Sequence, residues 1–395
     1  MRVVYVCTDE GIPTFGRKGS SVHVQAILTQ LVDRGDEVHL VTPRPGAAAP
    51  PHLAGVTVHQ LTRTPAADAA AREAGAQSMD LQVATVLDDL HAQAPVDLVY
   101  ERYALWGRSG TAWARSRGVT SILEVNSPLP VEQAAHRVLV DRPAADLVAA
   151  GACGDADLVV CVSDPVADWV RSLGTAHPDR VHTVPNGVDT RRFAPAPVRW
   201  EPRTFTLGFV GTLKPWHGVH DLVRALAVLR RDDPTYRLLL VGDGPERPAL
   251  EQLVADLGLA RSVEITGAVD PDDIPAQLAR MDLAVAPYPR LENFYFSPLK
   301  VYEYLAAGLP VVASDVGPLP GLLVPACADQ IGAVYPAGSI LHLADAVSLL
   351  RHAPAARADM ARHARQAMVD RHDWRRVLEQ VLELSEVGRV PTQAT

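Results

Sequence analysis

Phe296-Ser-Pro-Leu-Lys-Val-Tyr-Glu-Tyr-Leu-Ala-Ala-Gly-Leu-Pro-Val-Val-Ala-Ser314 reads as one helix and one strand with punctuation at each joint. Ser297 suits an N-cap and Pro298 the first helical position. Gly308 suits the position just past a helix, and Pro310 stops any continuation. Residues 309–313 are a short, apolar, β-branched run, the pattern of a strand buried on both faces. Lys300 is the odd residue, because a cation in a first helical turn opposes the helix dipole. A helix start attracts anions, and a lysine there adds a point charge. Glu303, one turn on, could accept two hydrogen bonds from a ribose diol. Two readings stand: a nucleotide-diphosphate site, or a surface Lys–Glu pair on an ordinary amphipathic helix.

Outward from this stretch, strands and helices alternate in two halves. The first opens with a strand at 3–7, a glycine-containing loop at 8–21 and a helix marked by Val24, Ile27, Leu28 and Leu31. Gly35 ends that helix before a strand at 37–41. This is a βαβ opening with a glycine loop at its first turn, where parallel sheets bind ligands. The loop lacks the GxGxxG spacing of a dinucleotide fingerprint. Lys18, Gly19 and Ser20 could hold a phosphate or a sugar hydroxyl. His23 either reaches the same cleft or is a satisfied histidine. After a loop at 44–55, a helix is expected over 68–91, a strand over 96–103, a helix over 110–116 and a strand over 121–126. Those two strands end in Glu101 and Arg102 and in Glu124 and Asn126. C-terminal strand ends line the binding crevice of a parallel sheet. Loop polarity is the plainer explanation, but a glutamate inside an apolar strand is costly unless paired. A strand at 157–163 and a strand-and-turn at 182–189 follow. Residues 192–203 carry several prolines and no period, and mark a linker.

The alternation then restarts. A strand at 206–211 runs into the loop Gly211-Thr-Leu-Lys-Pro-Trp-His-Gly218, and Val219, Leu222, Val223, Leu226 and Leu229 mark a helix. A strand with a glycine turn spans 237–245. Strands at 263–267 and 283–287 flank a helix at 274–281. Trp374, Leu378, Val381 and Leu382 mark a last helix, and 389–395 is a loose tail. HExxH, GxSxG and Walker patterns are absent.

The 395 residues suit two or so domains, and 48 % hydrophobic content suffices for two cores. A net charge of −9 argues against a nucleic-acid partner. Cys7, Cys153, Cys161 and Cys327 are scattered, as free thiols of a reducing cytoplasm would be. No signal-peptide pattern or membrane-length apolar run is present, so a cytoplasmic location is expected, with peripheral membrane contact left open. The only lysines are Lys18, Lys214 and Lys300, each within a few residues of a glycine loop or helix start. Compact positive charge at such places suits phosphates.

The ordered landmarks 19–24, Val184-Pro-Asn-Gly-Val-Asp189 with Phe193, 209–211, Val241-Gly-Asp-Gly-Pro245, Thr266-Gly267 and 303–314 span nearly the whole chain. Together they resemble the retaining glycosyltransferases of family 4, the "glycosyl transferases group 1". The resemblance implies an α/β GT-B fold: two Rossmann-like parallel-sheet domains facing across a cleft. Residues 1–195 would form an acceptor-binding domain and 196–370 a nucleotide-sugar-binding domain. A helix over 371–388 would pack back on the first domain, with 389–395 as the tail. By position, Glu303 would be the second glutamate of the family's E-x7-E motif and bind the donor ribose. Lys300, with the backbone of Ser297, Pro298 and Leu299, would hold the diphosphate. Gly267 and Val269 would face the nucleobase. The 211–218 loop, with Gly211, Thr212, Lys214 and His217, would add charge at the phosphates, and Gly19 with Ser20 would lie across the cleft.

Lys18, His23, Glu101, Arg102, Glu124 and Asn126 are the acceptor-side candidates. Lys214, Lys300, Glu303 and Asn126 are the catalytic ones. Three departures from the family pattern stand out. The first glutamate of E-x7-E falls at Tyr295, with Glu292 nearby but out of register. Thr212 and His217 replace the usual arginine and lysine of the second glycine loop, where Lys214 would supply the missing charge. The first-domain histidine common near the acceptor is absent, and Asn126 lies in a comparable region. The implied activity is metal-independent, retaining transfer of a sugar to a hydroxyl or amine of a polar acceptor, a saccharide or small natural product. A UDP-sugar is expected ahead of a GDP-sugar as co-substrate, with no separate cofactor. Sugar-nucleotide 2-epimerases share the architecture, and a non-catalytic nucleotide-sugar-binding accessory protein is the third reading.

Overall fold

Short runs of valine, leucine and isoleucine cannot be solvated on either face, and here each becomes a strand of a parallel sheet covered by helices. The computed structural model describes residues 1–195, 204–291, 294–295, 297–326 and 328–387. Glu292, Phe296, Cys327, most of the 192–203 linker and the 389–395 tail lie outside the described residues. The chain divides into two units: residues 1–186 with 295–297 and the segment from Trp374 onward, and residues 187–294 with 298–373.

The first unit holds β1 (Arg2–Cys7), β2 (Glu37–Thr42), β3 (Thr57–Gln60), β4 (Leu98–Arg102), β5 (Thr120–Val125), β6 (Leu158–Cys161) and β7 (Val181–Thr183). They form one parallel sheet in the order β3-β2-β1-β4-β5-β6-β7. The second unit holds β8 (Phe205–Val210), β9 (Tyr236–Val241), β10 (Val263–Ile265), β11 (Leu283–Ala286), β12 (Val311–Ser314) and β13 (Gly332–Tyr335). Its order is β10-β9-β8-β11-β12-β13, also parallel. Each sheet reverses its winding direction once, between β1 and β4 and between β8 and β11. Such a switch point leaves a crevice outside the strand ends. Each unit thereby has one such crevice.

The long helix Ala69–Gln93 starts where Asp68 accepts the Ala71 N–H at 2.8 Å, a side-chain N-cap. The C-terminal helix Trp374–Val387 packs on the helix Gly19–Asp33 and on β5 and β6 of the first sheet. Cys7, Cys153 and Cys161 are free and buried. Among the described residues no helix is long and apolar enough to cross a membrane.

The 296–314 stretch forms the helix Leu299–Ala306 and β12, with Gly308 at φ +68° just past the helix end. Its start differs from the expected cap. Pro298 takes the N-cap place and has no side-chain donor or acceptor to cap the first turn. The Ser297 hydroxyl instead accepts the Asn186 N–H at 3.2 Å, while the Asn186 amide donates to the Ser297 carbonyl at 2.9 Å. Asn186 thus holds Ser297 at both its hydroxyl and its carbonyl. β3 and β13 carry no strong sequence signal. β3 is a largely exposed edge strand, so its residues are not selected for apolarity.

Candidate active site

At the second sheet's switch point, Lys300 is the second residue of the helix Leu299–Ala306. Its stem is half-buried, but its Nζ is out of solvent and has no hydrogen-bond partner. The ammonium lies 4.3 Å from the Phe209 ring centroid and 5.6 Å from that of Tyr288. Aromatic faces offset part of the lost hydration, not all of it. Burial pushes the Lys300 ammonium down to about 7, with the nearby Glu303 charge opposing. Glu303 is itself raised by burial, against the pull of Arg192 and Lys300.

The loop after β8 wraps this ammonium. A Cβ on Gly211 would stand 2.7 Å from Lys300 Nζ, so any side chain there would push the ammonium aside. At the loop's other end Gly218 has φ +65°, and a Cβ there would fall 1.7 Å from the Pro287 carbonyl oxygen. Gly218→Ala is expected to cost about 2–3 kcal/mol through strain and displacement of that carbonyl. A thermal or denaturant unfolding curve reads it, and an unchanged midpoint would show that the loop gives way freely.

His217 lies between these glycines. Its Nδ1 is 2.5 Å from the Thr212 carbonyl oxygen. A carbonyl only accepts, so Nδ1 carries the proton and Nε2 presents a lone pair. Burial first, then the Lys300 charge, pushes the imidazole down to about 4 despite the Thr212 bond. His217 is thus a neutral acceptor at pH 7. Its ring meets Phe209 at 5.7 Å and Tyr288 at 5.9 Å, the same two rings that flank Lys300. Lys214 Nζ stands 5.5 Å from the Trp216 ring.

Gly267, just past β10, bridges to Gly242, and Gly211 N–H donates to the Val241 carbonyl at 2.9 Å. The Gly211 and Gly267 turns therefore border one another, with half-buried Val269 beyond. So the structure brings together Gly211, Thr212, Lys214, His217, Gly267, Val269, Lys300 and Glu303. Pro298 and Leu299 begin the helix that carries Lys300. Ser297 and Tyr295 are instead drawn into the first unit. The Tyr295 hydroxyl donates to Glu132 at 2.9 Å, and its carbonyl accepts a short bond from the Ser163 hydroxyl. Burial raises the phenol, with Glu132 adding to the rise, so it is a donor at neutral pH.

In the first unit the strand-end residues form a closed cluster on Glu124. Arg102 Nη1 donates to its Oε1 at 2.9 Å, Tyr100 to its Oε2 at 2.8 Å and Asn126 Nδ2 to its Oε1 at 2.5 Å. His23 Nε2 lies 2.8 Å from the same Oε1. The register Arg102↔Glu124 on neighbouring strands makes this meeting possible. Burial alone would raise the Glu124 carboxyl, but His23, Arg102 and Asn126 hold it well below the carboxylate range. Trp374 of the C-terminal helix closes the cluster edge-on to His23, at 4.9 Å between centroids.

Glu101 faces another way. Its Oε2 accepts the Thr111 N–H at 2.8 Å at the start of the helix Ser109–Arg117. Burial, and then the charge of Asp80, push it up to about 8. Asp80, which carries no sequence motif, accepts the Ser109 N–H and hydroxyl at 3.0 and 2.6 Å. Lys18 Nζ donates to the Gly11 carbonyl at 2.9 Å, and Gly19 and Ser20 open the helix Gly19–Asp33.

A pocket of about 500 Å³ opens at the first switch point, walled by the loops after β1 (Thr8–Gly11) and β4 (Ala104–Gly107). None of Lys18, His23, Glu101, Arg102, Glu124 and Asn126 lines it. Its walls come from four separate parts of the chain, and only the position after a strand end could have pointed to Thr8 or Trp106.

Residues 17–192 match the family model described as Glycosyltransferase Family 4, and residues 204–352 the one described as Glycosyl transferases group 1. The chain is 30 % identical to a D-inositol 3-phosphate glycosyltransferase of Actinosynnema mirum, over 88 % of this chain and 87 % of that one. It is 29 % identical to the Saccharomonospora viridis protein of the same name, over 93 % and 88 % of the two chains. The solved structure of Anabaena HepE in complex with UDP superposes with a TM-score of 0.71, at 19 % identity over 98 % of this chain and 100 % of that one. Matches to both halves and near-full-length identity to named transferases lead to one conclusion: the chain belongs to the group 1 glycosyltransferases of family 4, enzymes of the GT-B fold.

Proposed function

We propose that the enzyme moves a sugar from a UDP-sugar to a hydroxyl or amine of a saccharide or small natural-product acceptor, with retention and without a metal ion. The observation that carries this reading is the buried, unpartnered Lys300 ammonium beside a glycine loop and a helix start. A cation kept from water without a partner is costly, and a diphosphate supplies the missing partner. The charge that develops on the leaving diphosphate falls where Lys300, Lys214 and the helix N-terminus stabilise it most. Glu303 takes the ribose hydroxyls, and His217 Nε2 accepts a hydroxyl of the donor. The leaving phosphate oxygen takes the acceptor's proton on the face from which it departs, which retains the anomeric configuration. Uridine is favoured because HepE is also solved with UDP-glucose.

Calorimetric titration with UDP, GDP and dTDP tests the donor side. UDP is expected to bind at least about tenfold tighter than the other two. Failure of all three to bind a folded sample would overturn the transferase reading. Proton NMR of the product's anomeric coupling, with UDP-glucose as donor, reads retention against inversion.

A further inference from the structure

The first-unit pocket carries information about its occupant. Its floor and walls are mostly apolar: Met79, Ala104 and Trp106 are buried, and Leu129 is half-buried against it. An uncharged sugar ring would leave these surfaces poorly matched, whereas an aromatic or aliphatic body covers them. At its margin stand Arg72 and Arg137, both exposed. Neither guanidinium has a hydrogen-bond or ion-pair partner among the described residues.

The acids beside them are engaged. Glu10 pairs with Arg63 at 2.7 Å, and Asp9 accepts the Gly11 N–H at 2.7 Å. Glu73 uses both oxygens, on the N–H groups of Val140 and Asp141 at 2.7 and 3.0 Å. Among the described residues, the Arg72 and Arg137 guanidiniums are therefore the charged lining groups that make no hydrogen bond or ion pair. Deeper in, the buried Thr8 hydroxyl has no partner and stands 3.1 Å from where Gly107 lacks a side chain.

We propose that this pocket is the acceptor site and takes an amphiphilic anion: an apolar ring or chain bearing a carboxylate or phosphate, held by Arg72 and Arg137. The proposal rests on the transferase reading and narrows its acceptor to a small molecule with an apolar body. Planar guanidinium groups suit either anion, each able to bind two oxygens at once.

The test is binding of four small phenols to the intact protein without donor: 4-hydroxyphenylacetate, 4-hydroxyphenyl phosphate, uncharged 4-ethylphenol and cationic tyramine. The two anions are expected to bind about tenfold tighter than the other two. In Arg72→Gln/Arg137→Gln, whose altered side chains are exposed, that preference disappears while 4-ethylphenol binding stays. Which anion binds tighter distinguishes a carboxylate acceptor from a phosphate one. Equal binding of all four, tightest binding of tyramine, a preference that survives the double substitution, or no anion binding at millimolar concentration would each overturn the proposal. So would binding of myo-inositol phosphate, which has no apolar body, as tightly as the aryl anions. UDP titration of the same samples reads the donor side alone. Intact UDP binding with no anion preference rejects the pocket assignment and leaves the transferase reading standing.

Discussion

Lys300→Ala is expected to lower kcat/KM for the nucleotide sugar by about 10²–10³-fold, the effect of removing one preorganised charge from a leaving group. The pH dependence identifies the cause. In the folded protein without donor the ammonium titrates at about 7, whereas an exposed lysine in the unfolded chain titrates near 10.4. Between those values the unfolded chain binds more protons, so this residue makes the fold more stable as pH rises through that window. Below about pH 7 the folded protein carries the whole cost of the buried charge. Lys300→Met, which keeps the stem's volume, is expected to be about 2–4 kcal/mol more stable than the parent at pH 6, with the gain fading towards pH 10.

A diphosphate beside the ammonium restores the proton. UDP binding to the parent should therefore take up protons above pH 7 and weaken by up to about tenfold per pH unit there. Calorimetry in two buffers of different ionisation enthalpy measures that uptake. Uptake of the same size in Lys300→Ala would place the titrating group elsewhere and remove Lys300 from the phosphate site.

Glu124→Ala is expected to cost about 3–5 kcal/mol in unfolding free energy at pH 7, because it strands the buried Arg102 guanidinium and removes the acceptor of Tyr100 and Asn126. Glu124→Gln keeps an acceptor and is expected to lose less. The folded carboxyl is held below its unfolded value, so its contribution is fully present above about pH 5. It is lost as pH falls through the unfolded value near 4.3 and on towards the folded one. The gap between parent and Glu124→Gln should therefore narrow on acidification below about pH 4. A denaturant midpoint at pH 7 unchanged by Glu124→Ala would mean that the cluster adds nothing to the fold.

The two halves were legible because buried parallel strands leave near-continuous apolar runs, and because Gly35, Gly211 and Gly308 punctuate them. The cluster at the second unit's switch point was legible in part. The 211–218 loop and the Lys300–Glu303 helix each carry their own glycine and proline punctuation, so each was visible locally, while their meeting depends on β8 and β11 lying side by side in the sheet. The first unit was harder. Glu124 needs a partner by its burial, but that Arg102, Tyr100 and His23 supply it depends on strand register and on where a helix crosses, which no local pattern encodes. The pocket is harder still, since Thr8, Met79, Trp106 and Arg137 meet only after the sheet is wound. Ser297 shows the same limit at small scale: its hydroxyl accepts from Asn186, 111 residues away.

The first unit is built from the beginning and the end of the chain, with Trp374 seated against His23. A ribosome delivers residues in order, so the sheet of residues 1–186 emerges long before the helix that covers it. Trp374 lies 188 positions after Asn186. At about 5–20 residues per second the delay is roughly 10–40 s. During it the second unit has nearly all its sequence in hand and can close, while the older unit keeps an apolar face and the histidine side of its charge cluster open. The domain that starts first finishes last, and its uncovered interval is when a nascent chain of this enzyme has most need of a chaperone.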